Sequence, residues 1–266
     1  MSTRLANTFA KTKSEGRLAL IGLVMPGYPS RDGTDGVFDA MVEGGADIVE
    51  VEIPFSDPLA DGASIQRVAY EALERGITPS DCIDFVRRAR GRHADTPIVI
   101  MTYLNPVLAY GLERFAADAG EAGVDAMILV DLPPEEAASA RAAFGAQDID
   151  IVFLVSPTSS DERLAYITSQ ASGWVYCVSI AGVTGARADL PKELPAFLGR
   201  VRHCTGLPLA VGFGISRRKH IEALSGLADG VGVGSAFMDV IRRAGEEGAQ
   251  EAILRYTESL SGRTPV

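Results

Sequence analysis

Lysine is scarce: only Lys11, Lys13, Lys192 and Lys219 occur in 266 residues, and none ends a segment that reads as a strand. A Schiff-base mechanism needs an amine in the site, so this scarcity argues against one. Histidine is scarcer still. His93, His203 and His220 fall in helix-like segments or at their ends, which argues against an imidazole base or a histidine-held metal, and all three are expected at the surface. Cys82, Cys177 and Cys204 are scattered without disulfide or metal-ligand spacing. The apolar stretch 18–25 is much too short to span a bilayer, and the opening residues carry no cleavable signal pattern. Together these absences point to a reducing cytoplasm. Positive charge is in short supply as well: a net charge of -10 disfavours nucleic acid or an anionic membrane as partner, so any anionic substrate must be held by local donors. Neither GxGxxG nor GxxxxGK[ST] is present. With no charge block or low-complexity run to mark a linker, residues 1–266 are expected to form a single domain.

What the chain does have is rhythm. Strand-like segments lie near 18–24, 47–53, 97–103, 125–130, 149–155, 174–179, 208–211 and 229–233. Between them run amphipathic stretches of crossover-helix length, such as 66–75, 112–122, 134–144, 163–172 and 217–224. This alternation predicts an α/β fold, a single (β/α)8 barrel, with an extra N-terminal helix over 5–13 that caps the barrel's N-terminal end. An open doubly wound sheet would show the same alternation.

Two features favour the barrel and place its chemistry. The strand Asp47-Ile48-Val49-Glu50-Val51-Glu52-Ile53 carries glutamates at alternate positions, hence on one face, and runs into a loop rich in acids. An unpaired buried carboxylate costs several kcal/mol, roughly, so these acids either serve a function or lie on a solvated edge strand. Glu50, Glu52, Asp57, Asp61 and Asp131, with Tyr103 and Tyr176 beside them, are the strand-end groups available for proton transfer. The second feature is a set of three glycine-rich segments, Gly182-Val183-Thr184-Gly185, Gly212-Phe213-Gly214-Ile215-Ser216 and Gly232-Val233-Gly234-Ser235. Glycines let backbone N–H groups approach an anion, and a helix opening at Ser235 would add its positive dipole end, so these read as a phosphate cradle. Each could also be a simple tight turn.

Several segments in order carry a resemblance over nearly the whole chain. Pro54-Phe55-Ser56-Asp57-Pro58-Leu59-Ala60-Asp61-Gly62 is followed by Met101-Thr102-Tyr103-Leu104-Asn105-Pro106 and Asp131-Leu132-Pro133-Pro134-Glu135-Glu136. Next come Tyr176-Cys177-Val178-Ser179 and the first two glycine segments. The chain resembles the α subunit of tryptophan synthase. The resemblance implies a TIM barrel that cleaves indole-3-glycerol phosphate to indole and glyceraldehyde 3-phosphate, with no metal and no cofactor in this chain. It implies Glu50 as general acid/base and Asp61 as acceptor of the indole N–H. Tyr176 and Tyr103 would lie beside them, with Ile128 and Phe213 as pocket wall and Thr184 on a loop that closes over the site. Gly185, Gly214, Gly234 and Ser235 would bind phosphate. It also implies a β subunit in an α2β2 heterotetramer, docked near Asp57, Pro58, Asn105 and Pro106, which uses pyridoxal phosphate to join indole with serine.

Four positions depart from the family pattern: Glu52 stands where glycine is usual, Ala63 where proline is usual, Val130 where proline or alanine is frequent, and Leu23 where an aromatic is frequent. Glu52 could raise the proton affinity of Glu50, crowd the ring, or pair with an arginine. Three readings stand: an α subunit with a β partner, a free-standing lyase of a specialised pathway, and a non-catalytic regulatory barrel.

Overall fold

A computed structural model describes residues 1–179, 190–212 and 214–263. Its strands are β1 (Ala19–Val24), β2 (Ile48–Glu52), β3 (Ile98–Thr102), β4 (Ala126–Leu129), β5 (Asp150–Ile151), β6 (Phe153–Val155), β7 (Val175–Val178), β8 (Leu209–Gly212) and β9 (Gly230–Val233). The helices are α1 (Thr3–Ser14), α2 (Gly33–Gly44), α3 (Ala63–Glu74), α4 (Pro79–Arg92), α5 (Leu104–Tyr110), α6 (Leu112–Ala122), α7 (Ala138–Gly145), α8 (Asp161–Gln170), α9 (Leu194–Cys204), α10 (Arg218–Ala223) and α11 (Ser235–Ser261). Every strand pairing is parallel, in the order β5-β4-β3-β2-β1-β9-β8-β7-β6. This is a nearly closed barrel, not an open doubly wound sheet.

Among the described residues nine strand segments replace the eight expected, because 149–155 is interrupted at Val152. The Ile151 N–H bonds to Ser172 Oγ at 2.9 Å, and the Val152 N–H to the Met127 carbonyl at 3.0 Å. Since β5 pairs with β4 and β6 with β7, the wall passes through the break from one neighbour to the other. The helix expected from 134 begins only at Ala138. Short-range bonds, Glu136 N to Pro133 O and Ala137 N to Pro134 O, close turns there before the α-helix starts.

Strand parity divides the core in two. Val49 and Val51 of β2 face outward into the layer between barrel and helices, which also holds Phe38, Phe85, Phe115, Phe144 and Phe237. Ile48 faces inward with Ile21, Val99, Ala126, Ile128, Val152, Trp174, Tyr176 and Ala210. The N-terminal helix is present as expected. It buries Leu5, Phe9 and Thr12, spaced four and three residues apart on one face, and Phe9 stacks at 6.1 Å on Trp174, closing the N-terminal end of the lumen. The lumen is therefore filled from below, and the cavity that Glu50 and Tyr176 line lies towards the C-terminal end of the strands, where barrels carry their chemistry.

Candidate active site

The inward parity that seats Ile48 in the lower lumen also turns Glu50 and Glu52 inward. Both are buried, at 3% and 4% exposure, and β2 lies between β1 and β3. The edge-strand reading of these acids is thereby overturned. Glu50 Oε1 is buried without a hydrogen-bond partner. Burial disfavours the charged form and pushes the Glu50 carboxyl up to about 8, so near neutral pH it holds its proton.

Asp61 reaches the same cavity from the loop after β2. The loop is tied back on itself: Asp61 N bonds to Pro58 O at 3.0 Å, and the Gln66 amide donates to Asp61 O at 2.8 Å. The Tyr103 hydroxyl, at the end of β3, donates to Asp61 Oδ2 at 2.7 Å and accepts from Ala60 N at 2.9 Å. Glu52 is hydrogen-bonded to Asp61 as well. Of the three roles open to Glu52 from the sequence, pairing with an arginine is thus replaced by pairing with a carboxyl. Burial raises Asp61, while its bonds to Tyr103 and Glu52 oppose that rise.

Glu50, Asp61, Ile128, Tyr176, Gly214, Gly234 and Ser235 line one cavity. Tyr103 stands behind Asp61 and acts on the cavity through it. Thr184, Gly185 and Phe213 lie outside the described residues. Ile65, Met101, Leu154 and Ile215, which the sequence pattern does not place in the site, join Leu23 and Val130 in the apolar wall. For Met101 and Leu154 the signal was available: each sits at the top of a strand with the same parity as Ile128 in the aligned register. The free volume is about 50 Å³, well below the ~300 Å³ at the small end of ligand pockets.

The glycines divide into two groups. Gly212 and Gly232 belong to β8 and β9, and a Cβ on either would fall 2.1 Å and 2.8 Å from the Tyr176 hydroxyl. Their bareness seats Tyr176, a packing role the phosphate reading did not foresee. Gly214 and Gly234 differ. Gly214 has φ 84°, a left-handed conformation that favours glycine, and Gly234 caps the N-terminus of α11, where an added Cβ would meet only ordinary contacts at 3.6 Å. Packing therefore does not demand glycine at 234.

Other candidates fall away. Asp131 accepts from Leu104 N at 2.8 Å and ties α5 to the β4 loop. His203 is exposed and His93 bonds to Asp39 at 2.7 Å, but His220 is 3% exposed and accepts from Ser216 N, contrary to its expected place at the surface. A larger hollow of about 490 Å³ opens at the N-terminal end, yet its arginines are already paired, Arg17 with Asp47 and Arg202 with Asp229, and the perturbed acids lie at the other end. Among the described residues, no group of three or more His, Cys, Asp or Glu is placed to hold a metal.

A nearly closed parallel barrel with buried acids of opposed surroundings at its C-terminal mouth has the architecture of a barrel enzyme. The family model of the tryptophan synthase alpha chain matches residues 9–262. The tryptophan synthase alpha chain of Roseiflexus sp. (strain RS-1) is 50% identical over 242 residues, 91% of this chain and 93% of that one. The crystal structure of the Legionella pneumophila alpha chain superposes with a TM-score of 0.89 at 37% identity, covering 98% and 97% of the two chains. The Mycobacterium tuberculosis tryptophan synthase structure gives 0.90 at 37% identity, with 98% of each chain covered. The chain belongs to the tryptophan synthase alpha chain family, the indole-3-glycerol phosphate lyase subunit.

Proposed function

We propose that the cavity between Glu50, Asp61 and Tyr176 is where indole-3-glycerol phosphate is cleaved, with the following division of labour. Glu50, protonated by virtue of its burial, delivers its proton to indole C3. The ring nitrogen then carries positive character, and Asp61 accepts its N–H. The Glu50 carboxylate takes the proton of the adjacent side-chain hydroxyl; the carbon–carbon bond breaks and its electron pair returns to the ring. Indole and glyceraldehyde 3-phosphate result, and Glu50 ends protonated as it began. Gly214, Gly234 and Ser235 hold the phosphate at the N-terminus of α11, with Gly185 as a further donor. Ile128 and Phe213 wall the ring, and Thr184 belongs to the covering loop.

The observation that carries this reading is the pairing of opposites on one cavity: an acid without a partner at Glu50 and a carboxylate held by donors at Asp61. No step calls for a cofactor, and pyridoxal phosphate belongs to the β partner. That partner, in an α2β2 assembly, docks over the β2 loop and α5, where Leu59 and Leu108 are 86% and 53% exposed. Residues 1–266 act as one domain. A reducing, cytoplasmic setting suits the three free cysteines, and among the described residues no helix is long and apolar enough to cross a membrane.

The test is indole release from indole-3-glycerol phosphate by the purified chain, alone and with saturating β subunit. Release accelerated by the partner is expected. Fast release indifferent to the partner would favour a free-standing lyase, and no release in either condition would overturn the reaction.

A further inference from the structure

Glu52 is a buried acid with no part in the reaction just described. It stands two residues beyond Glu50 on β2, paired in register with Met101, at 4% exposure. One of its oxygens, Oε2, is buried without a partner, and the carboxyl lies within hydrogen-bonding reach of Asp61. An ionised carboxylate can only accept, so a hydrogen bond between two carboxyls exists only while one of them holds a proton.

The surroundings decide which one. Asp61 receives the Tyr103 hydroxyl at 2.7 Å, a donor that stabilises its charge. Among the described residues no such donor reaches Glu52, and burial together with the charges of Asp61 and Glu50 favours its neutral form. Among the described residues, the groups acting on the pair are Glu50 on β2, Tyr103 at the end of β3 and Tyr176 on β7, and none of these is a cation. The proton therefore resides on Glu52.

We propose that Glu52 is a positioning residue: as a neutral acid it donates to Asp61 and, with Tyr103, clamps the Asp61 carboxylate and its loop in the place where it meets the ring N–H. This rests on the reading of Asp61 given above. Loss of the shared proton sets two anions side by side, replaces the bond by repulsion and frees the loop. The clamp uses only residues of this chain, so it orders Asp61 before any partner docks.

The full-length chain, Glu52→Gln and Glu52→Leu test this in two ways. Infrared titration reads the C=O stretch of protonated carboxylic acids and requires neither substrate nor turnover. At neutral pH the Glu52→Gln protein should lose one protonated carboxyl relative to the parent chain; an unchanged signal overturns the proposal. In turnover of indole-3-glycerol phosphate with β subunit present, the parent chain should lose kcat at alkaline pH in two proton-loss steps, one from Glu50 and one from the pair. The glutamine variant, whose amide donates at every pH, should lose it in one, and Glu52→Leu should lower kcat about tenfold with KM little changed. A variant profile parallel to the parent, merely scaled down, would mean that Glu52 only fills space, and the proposal falls. A parent chain that releases no indole but shows the infrared loss would sink the assigned reaction and leave the proton-sharing pair standing.

Discussion

The ring of Tyr176 occupies the space that a side chain at Gly212 would need: a Cβ there would lie 2.1 Å from the hydroxyl and 2.3 Å from the nearer ring carbon. A tyrosine lying across bare backbone is thus held beside Glu50 by the absence of a neighbouring side chain. Gly212→Ala is expected to destabilise the chain by about 1–3 kcal/mol in urea unfolding, through overpacking. Combined with Tyr176→Ala, the extra cost of the alanine should vanish. Additive costs in that double-mutant cycle would contradict the contact.

Glu50→Gln should lower kcat for indole release by roughly 10²–10⁴-fold with KM nearly unchanged, the range for removing one acid/base group. Normal turnover in this variant would remove Glu50 from the mechanism.

Glu50 also links stability to pH. Its folded value, about 8, lies above the ordinary 4.5, so the folded chain binds this proton more tightly than the unfolded chain. The resulting stability is fully present below about pH 4.5 and is lost as pH rises from there towards 8. Glu50→Gln abolishes the dependence at this position. Thermal unfolding at pH 9 should find the variant more stable than the parent by a few kcal/mol, roughly, relative to their difference at pH 5. Curves for the two proteins that stay parallel across this range would show that Glu50 ionises freely.

Tyr103→Phe removes a hydroxyl that bonds Ala60 and Asp61 together. A hydrogen bond to a charged group contributes about 1.5–3 kcal/mol, so kcat should fall by about one to two orders of magnitude, with the loss greatest in the absence of β subunit. Steady-state kinetics with and without the partner measure both numbers.

Gly214→Ala asks a non-glycine residue to adopt φ 84° beside the phosphate loops. The KM for indole-3-glycerol phosphate should rise about tenfold or more while unfolding stability changes by about 1 kcal/mol. A large stability loss at unchanged KM would assign this glycine to packing.

Strand parity and local chemistry made much of this legible in the residues themselves. The alternation Glu50-Val51-Glu52 was enough to put both acids on one face, and the order of strand and helix segments was enough for a parallel α/β fold, because these depend on spacings of two and of three to four residues. The scarcity of lysine and histidine likewise directed attention to carboxylates. Relations across the barrel were not legible in this way. Nothing local says that Gly212 and Gly232 are bare to admit Tyr176, that Tyr103 holds Asp61 from 42 residues away, or that His220 is buried. Nor does spacing reveal that Val152 interrupts a strand whose Ile151 N–H is taken by Ser172. The sequence by itself determined which groups exist and which face of each strand they occupy. Tertiary structure alone decided who meets whom in the lumen, because a closed barrel brings together side chains from distant strands, and it is that enclosure which sets the proton affinity of Glu50 and pairs Glu52 with Asp61.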